Sequence, residues 1–216
     1  MESEDRLAFR ARARLGAHAS LFRGAIATAA PVLLPAHNAS VRRFFARELA
    51  RRGIALHAGA RVSAADAGGV TLADGQRIEA DQIVWATQAG AAAWPAAAGL
   101  ACDSGGFIRV NDCLQSVSHP ELFAAGDIAA LPAPCPKSGV YAVREGHALA
   151  RSLRRVAQGE APVPYRAQRR FLSLVSTGDR RAVVSRGVLF AAGRWAWRWK
   201  DRIDRAFMAM YRAEPL

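Results

Sequence analysis

One stretch constrains this chain more than any other: Leu122-Phe123-Ala124-Ala125-Gly126-Asp127. Ser118-His119-Pro120-Glu121 precede it, and Lys137-Ser138-Gly139-Val140-Tyr141-Ala142 follow about ten residues later. An apolar run that ends in Gly-Asp predicts a buried strand stopping at a ligand. The glycine lets backbone approach closely. The carboxylate then leaves the strand end, which is where open α/β sheets bind ligands. A purely structural turn uses the same six residues, so the neighbouring segments decide between the two.

Residues 3–15 have the spacing of a helix, with Leu7, Ala8, Ala11 and Leu15 on one face. Ala19–Phe22 is expected as a short strand, and Val32-Leu33-Leu34-Pro35 as a buried turn. Asn38 or Ser40 caps a helix over 41–52, whose apolar face is Val41, Phe44, Phe45 and Leu49. Gly53 ends it, and Ile54–His57 is a strand. Asp74-Gly75 lies between short alternating runs, Val70 to Ile78. That is a strong hairpin signal, expected as a type I′ turn. Further strands are expected at 83–86, 108–110 and 122–125. A helix follows over 140–156, with Val140, Val143, His147, Ala150 and Leu153 broadly on one side and His147 expected at the surface or half-buried. Beyond the linker 158–162, strands are expected at 171–175 and 182–185, with a turn at Gly193. A last helix runs from about 195 to 212, with Trp195, Trp199, Ile203, Phe207 and Met210 at helical spacing.

The charge balance tempts toward nucleic acid: 30 basic against 18 acidic residues, net +12. Two facts argue otherwise. Twenty-eight of the basic residues are arginine in an alanine-rich chain, a pattern of genome base composition. The excess is also concentrated, with 16 basic and 6 acidic residues in 144–216, net +10. No nucleic-acid-binding motif accompanies it, and no specific nucleic acid is expected. A solvated basic surface is the plain reading. Anionic lipid, RNA or an acidic partner surface is the alternative. The acidic start, Met1-Glu2-Ser3-Glu4-Asp5, has no apolar core and does not read as a secretory signal. No apolar run reaches the length of a bilayer span. A cytoplasmic protein is expected, peripheral to a membrane at most. Cys102, Cys113 and Cys135 are odd in number and form no CxxC, so neither a disulfide framework nor a zinc site is indicated.

The order of segments carries a resemblance. Asp81-Gln82-Ile83-Val84-Trp85-Ala86-Thr87 is followed by Gly106-Phe107-Ile108-Arg109-Val110, then by the Gly126-Asp127 stretch and a glycine-started helix. This resembles the C-terminal half of the two-dinucleotide-binding-domain flavoproteins, the pyridine nucleotide-disulfide oxidoreductase superfamily, in its NADH-dehydrogenase-like branch. The tail, with Gln168-Arg169-Arg170-Phe171-Leu172-Ser173-Leu174, Ser176-Thr177-Gly178-Asp179-Arg180 and Trp195-Ala196-Trp197-Arg198-Trp199-Lys200-Asp201, is similar to flavoproteins fused to, or encoded beside, selenide, water dikinase.

The resemblance implies an α/β fold: a partial Rossmann-like flavoprotein without its N-terminal Gly-rich loops, plus a small C-terminal α+β extension. It divides the chain into the remainder of an NAD(P)H-binding domain (1–86), the C-terminal half of an FAD-binding domain (87–160) and the extension (161–216). It implies FAD and NAD(P)H as cofactors, with electrons passing through the flavin to an unidentified acceptor. Asp127 would accept a hydrogen bond from the ribityl chain after Gly126. The helix start at Ser138, Gly139 and Val140 would face the flavin, Lys137 would add positive charge, and Thr87 would sit at the handover between domains. Cys135 would lie in a loop near the flavin, where a redox role would resemble sulfide:quinone oxidoreductases. The C-terminal helix either packs on the flavin domain or meets a membrane or quinone, and a homodimer fits the family picture.

Departures accompany it. The 216 residues hold no Gly-x-Gly-x-x-Gly, so a C-terminal fragment is the simplest expectation. Gln88 stands where the family usually has glycine after Ala-Thr, and Arg6 falls near the family's nicotinamide-side glutamate, so no catalytic residue is assigned. Arg23 after Ala19–Phe22, with no acidic residue, leans toward NADPH. The competing reading is an inactive remnant or basic interaction module, meeting a membrane surface, RNA or a protein.

Overall fold

The computed structural model describes residues 23–87, 89–168 and 171–211. The expected helix over 3–15, the strand Ala19–Phe22, Arg6 and Gln88 lie outside them. The chain forms two compact units. One joins the segment up to Ala86 with Leu172 onward, and the other is Thr87–Phe171.

The first unit is built on a β-α-β element. Strand β1 (Gly24–Thr28) pairs in parallel with β2 (Ile54–Ala58), and helix α1 (Ala39–Arg51) connects them. The sequence reading assigns no strand to β1. Asn38 caps α1: its side-chain oxygen accepts the N–H groups of Ser40 and Val41, both at 3.1 Å. That satisfies donors that a helix start otherwise leaves free. Val41, Phe45 and Leu49, four residues apart, are buried together with Leu33, Ile54 and Val183. Each such side chain contributes about 1.5–3 kcal/mol when removed from water. Leu33 is buried as expected of its turn, but Val32 is exposed.

Next comes an antiparallel meander of β3 (Val62–Asp66), β4 (Gly69–Leu72) and β5 (Arg77–Glu79). The Asp74-Gly75 hairpin forms, but not with a type I′ turn. Gly75 has φ +87° and Asp74 is not among the residues with positive φ. Gly75 N–H donates to the Leu72 carbonyl (3.0 Å) and Leu72 N–H to that of Gln76 (2.8 Å). This is a three-residue loop, a type I turn closed by a left-handed glycine. The Asp74 carboxylate takes the Gln76 N–H at 3.0 Å, which lets Asp74 stay in an ordinary conformation.

The expected strand at 83–86 is absent. Ile83 is half-buried, but Val84 is 52% and Trp85 60% exposed, and among the described residues no strand pairs with this apolar run.

The C-terminal segment completes the first unit. Strands β8 (Ser173–Ser176), β9 (Ala182–Arg186) and β10 (Leu189–Gly193) form a meander, and the last helix (Arg194–Met210) packs on it. Val183, Val175 and Ala192 join the core around α1. Asn38 also donates to the Gly187 and Leu189 carbonyls (2.9 and 3.1 Å), and His37 Nδ1 lies 2.9 Å from Ser185 Oγ. Residues 161–171 do not share this unit. The turn expected at Gly193 falls at Gly187, and Gly193 ends β10.

In the second unit a short helix α2 (Trp94–Ala97) precedes β6 (Ile108–Arg109), which pairs in parallel with β7 (Ala129–Ala130). Helix α3 (Gly139–Ala157) follows, so the last helix is α4. Ile108, Val110, Leu114, Ala124 and Ala129 form the core, with Leu149 and Tyr165 against it. The strand expected at 122–125 reduces to one bridge, Gln115 with Phe123. Gly126, at φ +76°, turns the chain into a 3-10 turn over Gly126–Ile128, and the paired strand forms only after it. Helix α3 also turns a different face inward. Tyr141, Glu145 and Ser152 are buried, whereas Val140 and Leu153 of the expected face are exposed, and so is His147. Polar residues can occupy this face because they are paired. Ser152 Oγ, for example, accepts the Val163 N–H at 3.1 Å.

Candidate functional site

Extended backbone at Ala125 (φ −144°, ψ 160°) gives way at Gly126 to a conformation that suits glycine. The Gly126 N–H then donates to Glu145 Oε2 on α3, at 2.6 Å. Asp127 follows with an exposed carboxylate that makes no hydrogen bond among the described residues. The segment 135–138 runs beside this turn into α3. Lys137 Nζ donates to the Ala129 carbonyl and stands 4.1 Å from the centroid of the Phe107 ring.

Ser138 is the N-cap of α3, yet its side chain makes no capping bond. Its hydroxyl oxygen is buried and has no partner among the described residues. The first N–H groups of a helix have no acceptor within it, and the helix dipole adds partial positive charge there. Gly126, Asp127, Cys135, Lys137, Ser138, Tyr141 and Glu145 border one shallow, solvent-open recess whose cavity volume is about 10 Å³.

The electrostatics are set by Glu145, which is 2% exposed. Burial pushes its carboxyl above the usual range, opposed by the Gly126 N–H and the Lys137 charge. Cys135 Sγ donates to Glu145 Oε1 at 3.9 Å. Burial, then the Glu145 charge, pushes that thiol up as well. Tyr165 is raised chiefly by burial, and its hydroxyl is also without a partner among the described residues. A raised thiol is a poor nucleophile. This arrangement suits binding of a polar, hydroxyl-rich group better than covalent chemistry at sulfur.

Of the residues singled out from sequence, the structure brings Gly126, Asp127, Lys137 and Ser138 around the recess. Gly139 and Val140 lie exposed at the first turn of α3 beside it. Thr87 is exposed and does not border it. Sequence reasoning missed Glu145, Tyr141 and Phe107. The signal for Glu145 was its spacing of four from Tyr141 and from Leu149, a charged residue within the stripe the helix buries. Among the described residues no three His, Cys, Asp or Glu side chains cluster as for a metal, and no helix is long and apolar enough to cross a membrane.

Comparison with known proteins bears on this region. NADH dehydrogenase-like proteins of two Mycobacterium tuberculosis strains, CDC 1551 and H37Rv, are each 35% identical over 91 residues, 42% of this chain and 23% of theirs. The chain thus matches less than a quarter of the length of these relatives. The sulfide:quinone oxidoreductase of Aquifex aeolicus is similar over 96% of this chain and 53% of its own, with TM-score 0.78 and 19% identity. An FAD-dependent pyridine nucleotide-disulphide oxidoreductase of Desulfovibrio vulgaris covers 76% of this chain and 42% of its own, with TM-score 0.58 and 21% identity. At such identities these two speak to the fold alone. A family model described as pyridine nucleotide-disulphide oxidoreductase matches residues 11–146, more than half of the chain and all of the recess, and the protein belongs to that family.

Proposed function

We propose that the recess of the second unit holds the ring-side end and ribityl chain of FAD, in an oxidoreductase that takes electrons from NAD(P)H. One observation carries this reading. An exposed, unpartnered carboxylate, Asp127, stands beside a helix start whose capping hydroxyl, Ser138 Oγ, is buried without a partner among the described residues. Acceptor and donors are thus left free side by side, as a ligand with hydroxyls and a polar ring edge requires. The residues present fit such a group.

When bound, FAD would supply the hydride-accepting chemistry between NAD(P)H and a second acceptor. The chain's own part is binding and orientation. Asp127 accepts a hydrogen bond from a ribityl hydroxyl. The N–H groups at Gly139 and Val140, with the dipole of α3, favour negative charge at the recess. Lys137, held by the Ala129 carbonyl and the Phe107 face, adds a fixed positive charge. The second acceptor is a quinone, a disulfide or a selenium compound in this proposal. The tie to selenide, water dikinase rests on the sequence of the tail given above.

Trp195, Trp199 and Ile203 are exposed on helix α4, which also carries Arg194, Arg198 and Arg202. An apolar stripe among arginines favours the surface of an anionic membrane.

Titrating the purified protein with FAD while following flavin fluorescence tests the flavin site. Saturable quenching, weakened by about tenfold or more in Asp127→Ala, is expected for a lost hydrogen bond to a charged acceptor. Equal affinity in the variant removes Asp127 from the site. Absence of any binding returns the chain to the alternative of a basic interaction module.

A further inference from the structure

The recess contains one group whose role the reading above leaves unused. Glu145 is the most buried ionisable residue around it, 2% exposed, two turns into α3. Burying a carboxylate is costly unless the site compensates it. Here both oxygens are engaged, Oε2 by the Gly126 N–H at 2.6 Å and Oε1 by Cys135 Sγ at 3.9 Å. The Gly126 bond stands out. It joins helix α3 to the first residue of the 3-10 turn, across 19 residues of sequence. At φ +76° the Gly126 N–H points at the helix instead of joining the β6–β7 ladder. The next residue is Asp127.

We propose that Glu145 is a positioning residue: it locks the Gly126–Ile128 turn to α3 and so sets where the Asp127 carboxylate stands at the helix start. The flavin consequence rests on the reading given under Proposed function, whereas the lock itself does not. Glu145 does not touch the ligand in this scheme and acts through Asp127. An apolar residue of equal size would fill the space but leave the Gly126 N–H without its acceptor. A neutral acceptor would keep the lock, because a carboxylate, a carboxylic acid and an amide all offer an oxygen to an N–H. The groups facing Glu145 from the other elements are Lys137, Cys135, Asp127 and Tyr165. Among the described residues Glu145 is the group that accepts the Gly126 N–H.

Four variants test this: Glu145→Ala, Glu145→Leu, Glu145→Gln, and Glu145→Ala combined with Asp127→Ala. The first readout is amide hydrogen exchange at Gly126 and Asp127 in protein free of flavin. Glu145→Ala and Glu145→Leu are expected to speed exchange at Gly126 roughly tenfold or more, the worth of one hydrogen bond to a charged acceptor, and Glu145→Gln to recover most of the protection. The leucine variant keeps the volume and so separates the lost acceptor from a collapsed cavity. Unchanged exchange at Gly126 in both overturns the lock. The second readout is affinity for FAD by fluorescence quenching. Glu145→Ala is expected to weaken it, Glu145→Gln to restore most of it, and the double variant to bind no worse than Asp127→Ala alone. Additive losses overturn action through Asp127. If wild-type protein binds no FAD, the flavin reading fails by itself and the exchange data still decide the lock.

Discussion

The N–H of Gly126 lies 2.6 Å from Glu145 Oε2 and ties the turn before Asp127 to a carboxylate buried on helix α3. Burial raises the Glu145 carboxyl above its ordinary value, more than the Gly126 N–H and Lys137 lower it. A group raised on folding stabilises fully below its unfolded value, and that contribution is lost as pH rises through the folded value. Glu145→Gln keeps the acceptor and removes the titration. Thermal melts should therefore find the variant gaining on wild type as pH rises from the acid range to neutrality. A difference constant across that range would mean that folding leaves the Glu145 pKa where it is in the unfolded chain.

Arg52 is the hinge of a second network, in the first unit. Its side chain is 11% exposed, and it bonds Glu48 at 2.7 Å and reaches Asp179 at 3.5 Å. It thus joins the end of α1 to the loop between β8 and β9. Arg52→Ala leaves Asp179 without that partner, while Glu48 keeps Arg51 at 2.5 Å. The expected cost is about 2 kcal/mol, between exposed and fully buried pairs. For a chain of this size that is a fall of about 4–8 °C in melting temperature. A shift below a degree would show the contact with Asp179 to be incidental.

Asp66 and Arg77 pair across the β3–β5 meander at 2.6 Å. The Arg77 side chain, then the Gly68 N–H, holds the Asp66 carboxyl at about 2. A depressed carboxylate adds stability above its ordinary value and loses it as pH falls through about 2. Arg77→Ala should bring the Asp66 titration, followed by carboxyl carbon NMR, back toward the ordinary range. The pair is exposed, so salt should narrow the gap between variant and wild type. A titration that ignores Arg77 would assign the depression to the Gly68 N–H alone.

What the sequence disclosed, and what it hid, follows from where each signal resides. Helix α1 was legible because Val41, Phe45 and Leu49 repeat at helical spacing and Asn38 carries its own capping oxygen. The hairpin at Asp74-Gly75 was legible, but its turn type was not. Aspartate bonded to the Gln76 N–H accepts an ordinary conformation, so glycine alone takes the left-handed one. Val84-Trp85 looked like a strand because apolar content does not say whether a neighbour will cover it. The inward face of α3 was hidden for the converse reason. Glu145 and Ser152 are polar, and only partners distant in sequence, Gly126 and Val163, make their burial tolerable. The candidate site was therefore half visible: Gly126, Asp127, Lys137 and Ser138 stand in local motifs, whereas Glu145 is defined by a tertiary bond. The placement of α4 depended on β8 to β10 packing against α1, through Val183, which no local pattern encodes.

The exposed face of α4 gives the last prediction. Trp195 and Trp199 stack with ring centroids 6.4 Å apart and remain exposed, and Ile203 continues the stripe. Asp201 and Asp204 are paired with Arg205 and Lys200, both at about 2.8–2.9 Å, so the helix's negative charge is largely matched internally. Arg194, Arg198 and Arg202 are left to set the sign of this surface. Such a face should partition onto vesicles containing phosphatidylserine and not onto phosphatidylcholine alone, with about 1 kcal/mol from each basic residue near the surface. Salt should weaken the binding. Each indole that loses about 60 Å² of contact, at about 25 cal/mol per Å², should cost roughly tenfold in partition. Trp195→Ser and Trp199→Ser should therefore reduce co-sedimentation stepwise and leave the melting temperature nearly unchanged, because neither side chain is part of the buried core. Equal binding by wild type and the double variant would make the attraction purely electrostatic. A large loss of melting temperature would instead mean that the tryptophans hold α4 to its own sheet, and that no membrane needs to be invoked for them.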